Sequence, residues 1–162
     1  MRRPILCGLA VAALALPATT AAGNGNGKPK GSGNGTVCVL HAKLSPKSET
    51  NSTSTAKGHT LIKVRRNGTI EYKTQINNKA HETFVAGHIH QAPVGVAGPI
   101  VFPLFRGVTP TNARHIRDRG SVPAATPADQ QFATQLCQKP SAYYVNYHTT
   151  ANPAGAIRGQ LR

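Results

Sequence analysis

The chain has 162 residues, with 19 Lys and Arg against 5 Asp and Glu and a formal net charge of +14. Aromatic residues make up only 5% and Trp is absent, so the stacking platform used by single-strand nucleic-acid binders is missing and nucleic acid is not an expected partner. With five acids in all, paired-carboxylate catalysis is improbable.

Met1-Arg2-Arg3 is a positive start, residues 4–16 are apolar, and residues 17–22 are small residues apart from Pro17. That order predicts a secretory signal peptide over residues 1–22 and an extracellular destination, or a periplasmic one if the source is bacterial. The apolar run is shorter than the roughly 20 residues needed to span a bilayer. Cys7 opens that run rather than following it, so no membrane anchor is expected. Cleavage would remove Arg2 and Arg3, leaving 17 basic and 5 acidic residues, a net +12. Such a bias favours an anionic partner, with plain solubility as the alternative reading. Two cysteines would remain, Cys38 and Cys137, and in an oxidising compartment they are expected to form a disulfide, two free thiols being the alternative.

Residues 23–35, rich in Gly, Asn and Lys, read as a flexible basic tether, and residues 36–162 as one domain. Residues 37–44 form a β-favouring run and 45–57 a polar loop. Residues 59–66 and 69–76 are two strands joined at Asn67-Gly68, a pair suited to hairpin turns because both positions tolerate φ > 0. In the second arm Ile70, Tyr72, Thr74 and Ile76 share one face, opposite Glu71, Lys73 and Gln75. Residues 84–90 form another strand. Residues 100–105 form a third apolar run, held to a sheet edge or bulge by Pro103. Residues 106–125, with Arg106, Arg114, His115, Arg117 and Arg119, read as a basic mobile loop. Thr126, Pro127 and Asp129 mark a helix start, placing Phe132, Leu136 and Cys137 near one face. Residues 143–148 and 156–161 complete an all-β antiparallel sandwich or barrel with one short helix.

His88 and His90 lie two apart on a predicted strand, so they project from one face about 6.6 Å apart, a span that one metal with Nε2 bonds of about 2.0–2.1 Å can bridge. His148 ends another strand; spacing alone does not bring it to the pair. A hydrogen-bonded polar cluster involving Asn146, Asn152 or Arg158 explains the same three histidines without metal. His81 is a spare candidate, whereas His41 and His59 read as solvent-facing. Asn34, Asn51 and Asn67 begin glycosylation sequons.

Gly87-His88-Ile89-His90 followed by Val94-Gly95-Val96-Ala97-Gly98-Pro99-Ile100-Val101 resembles the first hallmark of the CHRD domain, the repeat of chordin. The segment from Tyr144 to Leu161, with Asn152-Pro153-Ala154-Gly155-Ala156-Ile157-Arg158-Gly159, resembles its second. Glu49, in residues 44–58, is a weaker match to the opening segment, because Thr50, Asn51 and Ser52 stand where two prolines usually follow. Ala156 stands where the family usually carries an acid. The resemblance covers residues 38–162 and implies an immunoglobulin-like β-sandwich similar to copper/zinc superoxide dismutase. In that fold His88, His90 and His148 would be candidate copper or zinc ligands. Glu49, Gly98, Asn152, Gly155, Arg158 and Gly159 would be structural signature positions, with Arg158 tying the last strand to a nearby loop. A dismutase needs a bridging His and a second metal loop, for which His115 with Asp118 is the only comparable cluster. The functional expectation is a non-enzymatic secreted module binding an extracellular protein or an anionic glycan. A copper or zinc protein is the alternative, with dismutase chemistry ranked last.

Overall fold

Alternating burial along the first three strands separates a core face from an outer face in the computed structural model of the chain, which describes residues 34–105 and 110–162. The expected signal peptide with Cys7, residues 23–33 of the tether and Arg106 lie outside the described residues. In β1 (Thr36–Leu44) Leu40, Ala42 and Leu44 are buried while Val39, His41 and Lys43 face water. The same period runs through β2 (Lys57–Arg65) and β3 (Ile70–Asn77), where Ile70, Tyr72, Thr74 and Ile76 are buried as the sequence predicts.

The β2–β3 connection differs from a two-residue Asn-Gly turn. Arg65 and Thr69 are joined N–H to O at 2.8 Å, Gly68 N–H donates to Arg65 O, and of the loop residues only Gly68 has positive φ, at 78°. This is a three-residue loop closed by a left-handed glycine, so Asn67 keeps an ordinary φ and uses its side chain to accept from Thr69 N–H at 3.1 Å.

The remaining elements are β4 (Phe84–Gln91), β5 (Ile100–Leu104), β6 (His115–Val122), α1 (Pro127–Gln138), β7 (Tyr143–Thr149) and β8 (Ile157–Gln160). They form two four-stranded sheets, ordered β1-β2-β3-β6 and β5-β4-β7-β8, with antiparallel pairing throughout. The architecture is the expected all-β sandwich with one short helix. β5, the strand carrying Pro103, lies at a sheet edge. Leu40, Ile62, Ile76 and Ile116 from the first sheet share one core with Phe84, Ile89, Val145 and Ile157 from the second. Along one side β1 meets β8: Ser45 bridges Arg158, and His41 and Arg162 exchange backbone hydrogen bonds at 2.9 and 3.1 Å.

One expectation is corrected. Much of residues 106–125 is not a loop, because His115–Val122 is strand β6, paired with β3 over its full length. The arginines that suggested a solvated loop alternate with Ile116 and Asp118, both buried, so the segment is a half-buried strand with an unusually basic outer side. That alternation also separates His115, exposed, from Asp118, buried, onto opposite faces, and the comparable cluster does not exist.

Helix α1 begins where predicted. Thr126 Oγ1 accepts from Asp129 N–H at 3.2 Å and the Asp129 carboxylate accepts from Thr126 N–H at 2.8 Å, a complete capping box. It buries Ala133 and Leu136 and presents Cys137, which is bonded to Cys38 of β1. The expected disulfide is present and fits an oxidising compartment.

Candidate functional site

β4 and β7 are the inner strands of the second sheet, and their register places the histidines. Ile89, Val145 and Tyr147 point into the core, so His88 and His90 on β4, and Tyr144, Asn146 and His148 on β7, occupy the outer face. Opposite pairs are Ala86 with His148, His88 with Asn146 and His90 with Tyr144. His148 therefore lies diagonal to His88, close enough for His88 Nδ1 and His148 Nε2 to stand 3.1 Å apart. The three rings form one group whose candidate ligand atoms all lie within 4.8 Å of one another.

This outer face is not open to water. His90 and His148 are buried and His88 half-buried, because residues 92–99 and residues 45–56 pack over the sheet. Arg158 ties the first of these loops down, donating to Val96 O at 2.9 Å and Pro93 O at 3.0 Å while its guanidinium lies 3.3 Å from the centroid of the Tyr144 ring. That is the strand-to-loop role the sequence suggested. Tyr144 in turn stacks on His90 at 4.8 Å and its hydroxyl accepts from Gly98 N–H. The second segment is fastened by Asn152, whose Oδ1 accepts from Thr53 N–H at 2.9 Å, and by Ser52, which donates to Ala156 O at 2.6 Å.

The signature residues thus gather around one covered sheet face. Glu49 lies against Gly155, near Asn146 and within electrostatic reach of Arg158. Gly98 and Gly159 permit close backbone approach: a Cβ would strike the carbonyl of Gln91 at the first and of Lys43 at the second. Ala156, in the position of the family's usual acid, is fully buried in the core cluster. His81 stands apart in a left-handed turn with φ 57°, its ring against Asn112 O.

Burial sets the protonation of the cluster. The His88 ring ionises at about 4, pushed down first by desolvation and then by His148 and His90. Desolvation is also the largest cause of the lowered values of His90, which faces Arg158, and of His148. Glu49 is shifted upward by burial, against the pull of Arg158.

A model of the CHRD domain matches residues 40–161. The chain belongs to the CHRD-domain family. No curated protein and no solved structure matches it. Both hallmarks that carried the resemblance, residues 87–101 and 144–161, sit on or against the covered outer face of this CHRD domain. Among the described residues no helix is long and apolar enough to cross a membrane.

The opposite outer face of the CHRD domain is exposed and basic, a feature visible only once β6 is recognised as a strand. Register aligns Lys43, His59, Gln75 and Arg117 in one row, His41, Leu61, Lys73 and Arg119 in the next, and Val39, Lys63, Glu71 and Ser121 in a third. Lys57 and Arg65 add further cations. Glu71, the one acid in these rows, is already paired with Arg65 at 2.8 Å. Two open grooves follow the rows, one along Lys63, Lys73 and Arg119 and the other along Lys57, His59 and Arg117.

Proposed function

We propose that this CHRD domain is a secreted, non-enzymatic interaction module that binds an anionic glycan through the outer face of the β1-β2-β3-β6 sheet. The observation that carries the reading is the ladder of Lys43, Lys57, Lys63, Arg65, Lys73, Arg117 and Arg119 across four adjacent strands, against the single acid Glu71. Neighbouring strands lie about 4.8 Å apart. Cross-strand neighbours such as Lys73 and Arg119 therefore sit within the roughly 8 Å screening length of physiological salt, and the ladder presents its charge to a polymer over the width of four strands. A flat lattice of charge, with grooves and no deep pocket of its own, suits a linear polyanion whose acidic groups recur along its length. The sign of the net charge, +14, supports the same class of partner. The disulfide, together with the signal peptide expected from the sequence, supports an encounter outside the cytoplasm.

The test is retention of the purified domain on immobilised heparin. The wild-type chain should elute only at raised salt. The triple variant Lys73→Gln, Arg117→Gln, Arg119→Gln should elute substantially earlier than a control triple at Lys47, Lys79 and Lys139, which lie outside the four strands of the face. Retention that ignores salt, or equal elution of the two triples, rejects the reading. Binding of a folded extracellular protein with no response to heparin would reject it equally.

A further inference from the structure

We propose that His88 Nδ1, His90 Nε2 and His148 Nε2 form a binding site for one first-row transition-metal ion, copper or zinc, on the covered face of the β5-β4-β7-β8 sheet. The site is separate from the basic face and does not depend on the glycan reading.

The hydrogen bonds around the rings determine where their lone pairs point. A carbonyl oxygen only accepts, so His90 Nδ1, 2.9 Å from Gly98 O, carries its proton, as does His148 Nδ1, 2.9 Å from Pro153 O. Each neutral ring then presents an unprotonated Nε2. Backbone carbonyls holding Nδ1–H in this way are the usual outer support of Nε2 metal ligands, fixing both tautomer and ring orientation.

The ring-to-ring and ring-to-carbonyl bonds leave specific atoms unexplained. His148 Nε2 has His88 Nδ1 as its neighbour, but His90 Nε2 is buried with no partner, and so is Asn146 Oδ1, directly across the strand pair from His88. Buried polar atoms without partners are rare and costly, and two of them on one face beside a half-exposed imidazole mark a place where something binds. A metal ion satisfies His90 Nε2 directly, and Asn146 stands opposite His88 in the strand pair.

The distances fit with one adjustment. Two nitrogen ligands on a tetrahedral ion with bonds of about 2.0–2.1 Å lie roughly 3.3 Å apart, and two trans ligands about 4.1 Å. His88 Nδ1 and His148 Nε2, at 3.1 Å, already stand near the first value; as His148 Nε2 is the acceptor there, His88 Nδ1 carries the proton, which shifts to His88 Nε2 when the ion takes its place. The full set extends to 4.8 Å, so one ring swings inward on loading. His90, whose centroid lies 5.7 Å from that of His88 and 6.0 Å from that of His148, is the ring that moves. Imidazole nitrogens without thiolate suit copper and zinc, and for a given nitrogen site Cu²⁺ binds more tightly than Zn²⁺. Half-buried His88 leaves the site a route to solvent.

The mature chain, stripped with chelator and titrated separately with Cu²⁺ and Zn²⁺, should bind one ion per chain, copper more tightly. Sub-stoichiometric Cu²⁺ should broaden the ring resonances of His88, His90 and His148 before those of His41, His59 and His115. The variants His90→Gln and His148→Gln should lose about a hundredfold or more in affinity. Because both replace buried residues, half-exposed His88→Gln is the companion variant, with its melting curve recorded alongside. Absence of stoichiometric binding overturns the proposal. So does affinity unchanged in a folded His88→Gln, or broadening that begins at the histidines of the basic face.

Discussion

Tyr147 reaches across the core from β7 and donates its hydroxyl to Asp118 Oδ2 of β6 at 2.6 Å, a bond between the two sheets. The same hydroxyl lies 2.8 Å from Thr74 Oγ1, and Asp118 Oδ2 also accepts from the amide of Phe105, which has φ 53°. One buried carboxylate thereby holds the central strand of one sheet, an outer strand of the other and a left-handed turn. Tyr147→Phe leaves the ring packing in place but strips the carboxylate of its strongest donor. Loss of about 1–3 kcal/mol of unfolding free energy is expected, measured by denaturant titration. A change near zero would mean that the bond between the sheets adds nothing to the packing.

Asp118 also carries a pH signature. Its carboxyl ionises above the usual aspartate range because burial outweighs the donors from Tyr147, Phe105 and Arg119. With the native value above that of the unfolded chain, near 3.8, the folded state holds this proton more tightly. The stability it contributes is present below pH 3.8 and is lost as pH rises through the native value. Asp118→Asn removes the titration while histidines and other acids titrate in both chains and cancel in the difference. Wild type should therefore lose stability relative to the variant as pH rises from about 3.8, and then run parallel to it. A difference that stays constant across pH 3–7 would count against the raised value.

What could be read beforehand depended on whether one face of a strand meets water. In β3 only one side is covered, so Ile70 to Ile76 alternate and the hairpin with β2 was legible. In β7 all seven residues are buried, because loops cover the outer face too. No alternation marks which of Tyr144, Asn146 and His148 share a side, and nothing local brings His148 to His88. Only the register of β7 against β4 does so, and register between strands about sixty residues apart is a tertiary property. β6 failed for the opposite reason. Its outward arginines and Gly120 hid two buried positions, one of them the charged Asp118, which hydropathy counts as polar. Missing that strand also hid the fourth column of the basic face. The second hallmark of the family, by contrast, was readable as a string and supplied Asn152 and Arg158 as signature positions that periodicity could not, while Glu49 came only from the weaker match of the opening segment.

Removing the Cys38–Cys137 bond should cost much of the stability of the fold. The pair is separated by 99 positions and ties β1 to the end of α1. Chain entropy for a closed loop of that order is worth roughly 4.7 kcal/mol, in a molecule whose total is expected to be about 5–15 kcal/mol. The double variant Cys38→Ala, Cys137→Ala should therefore melt far below the wild type, and reduction of the wild type should reproduce the drop. Coincident melts with and without reductant would show that the reduced, unfolded chain gains no extra freedom.

Arg158 tests whether the cover over the histidine face is held by shape or by charge. Its guanidinium is buried, caps two carbonyls of residues 92–99 and lies flat on Tyr144. Lysine keeps the charge but offers a point ammonium in place of the planar fork, so it cannot satisfy Pro93 O and Val96 O together with the stacking. Arg158→Lys should lower stability by about 1–3 kcal/mol, the range expected when a buried acceptor loses its partner. The sharper measurement is amide exchange. Gly98 N–H is held by the Tyr144 hydroxyl at 3.1 Å and Val96 N–H by Pro93 O, so both should exchange faster in the variant, while amides of β2 and β3 on the far sheet should not. Equal protection of Gly98 in the two chains would assign the hold on the loop to its own turn rather than to Arg158.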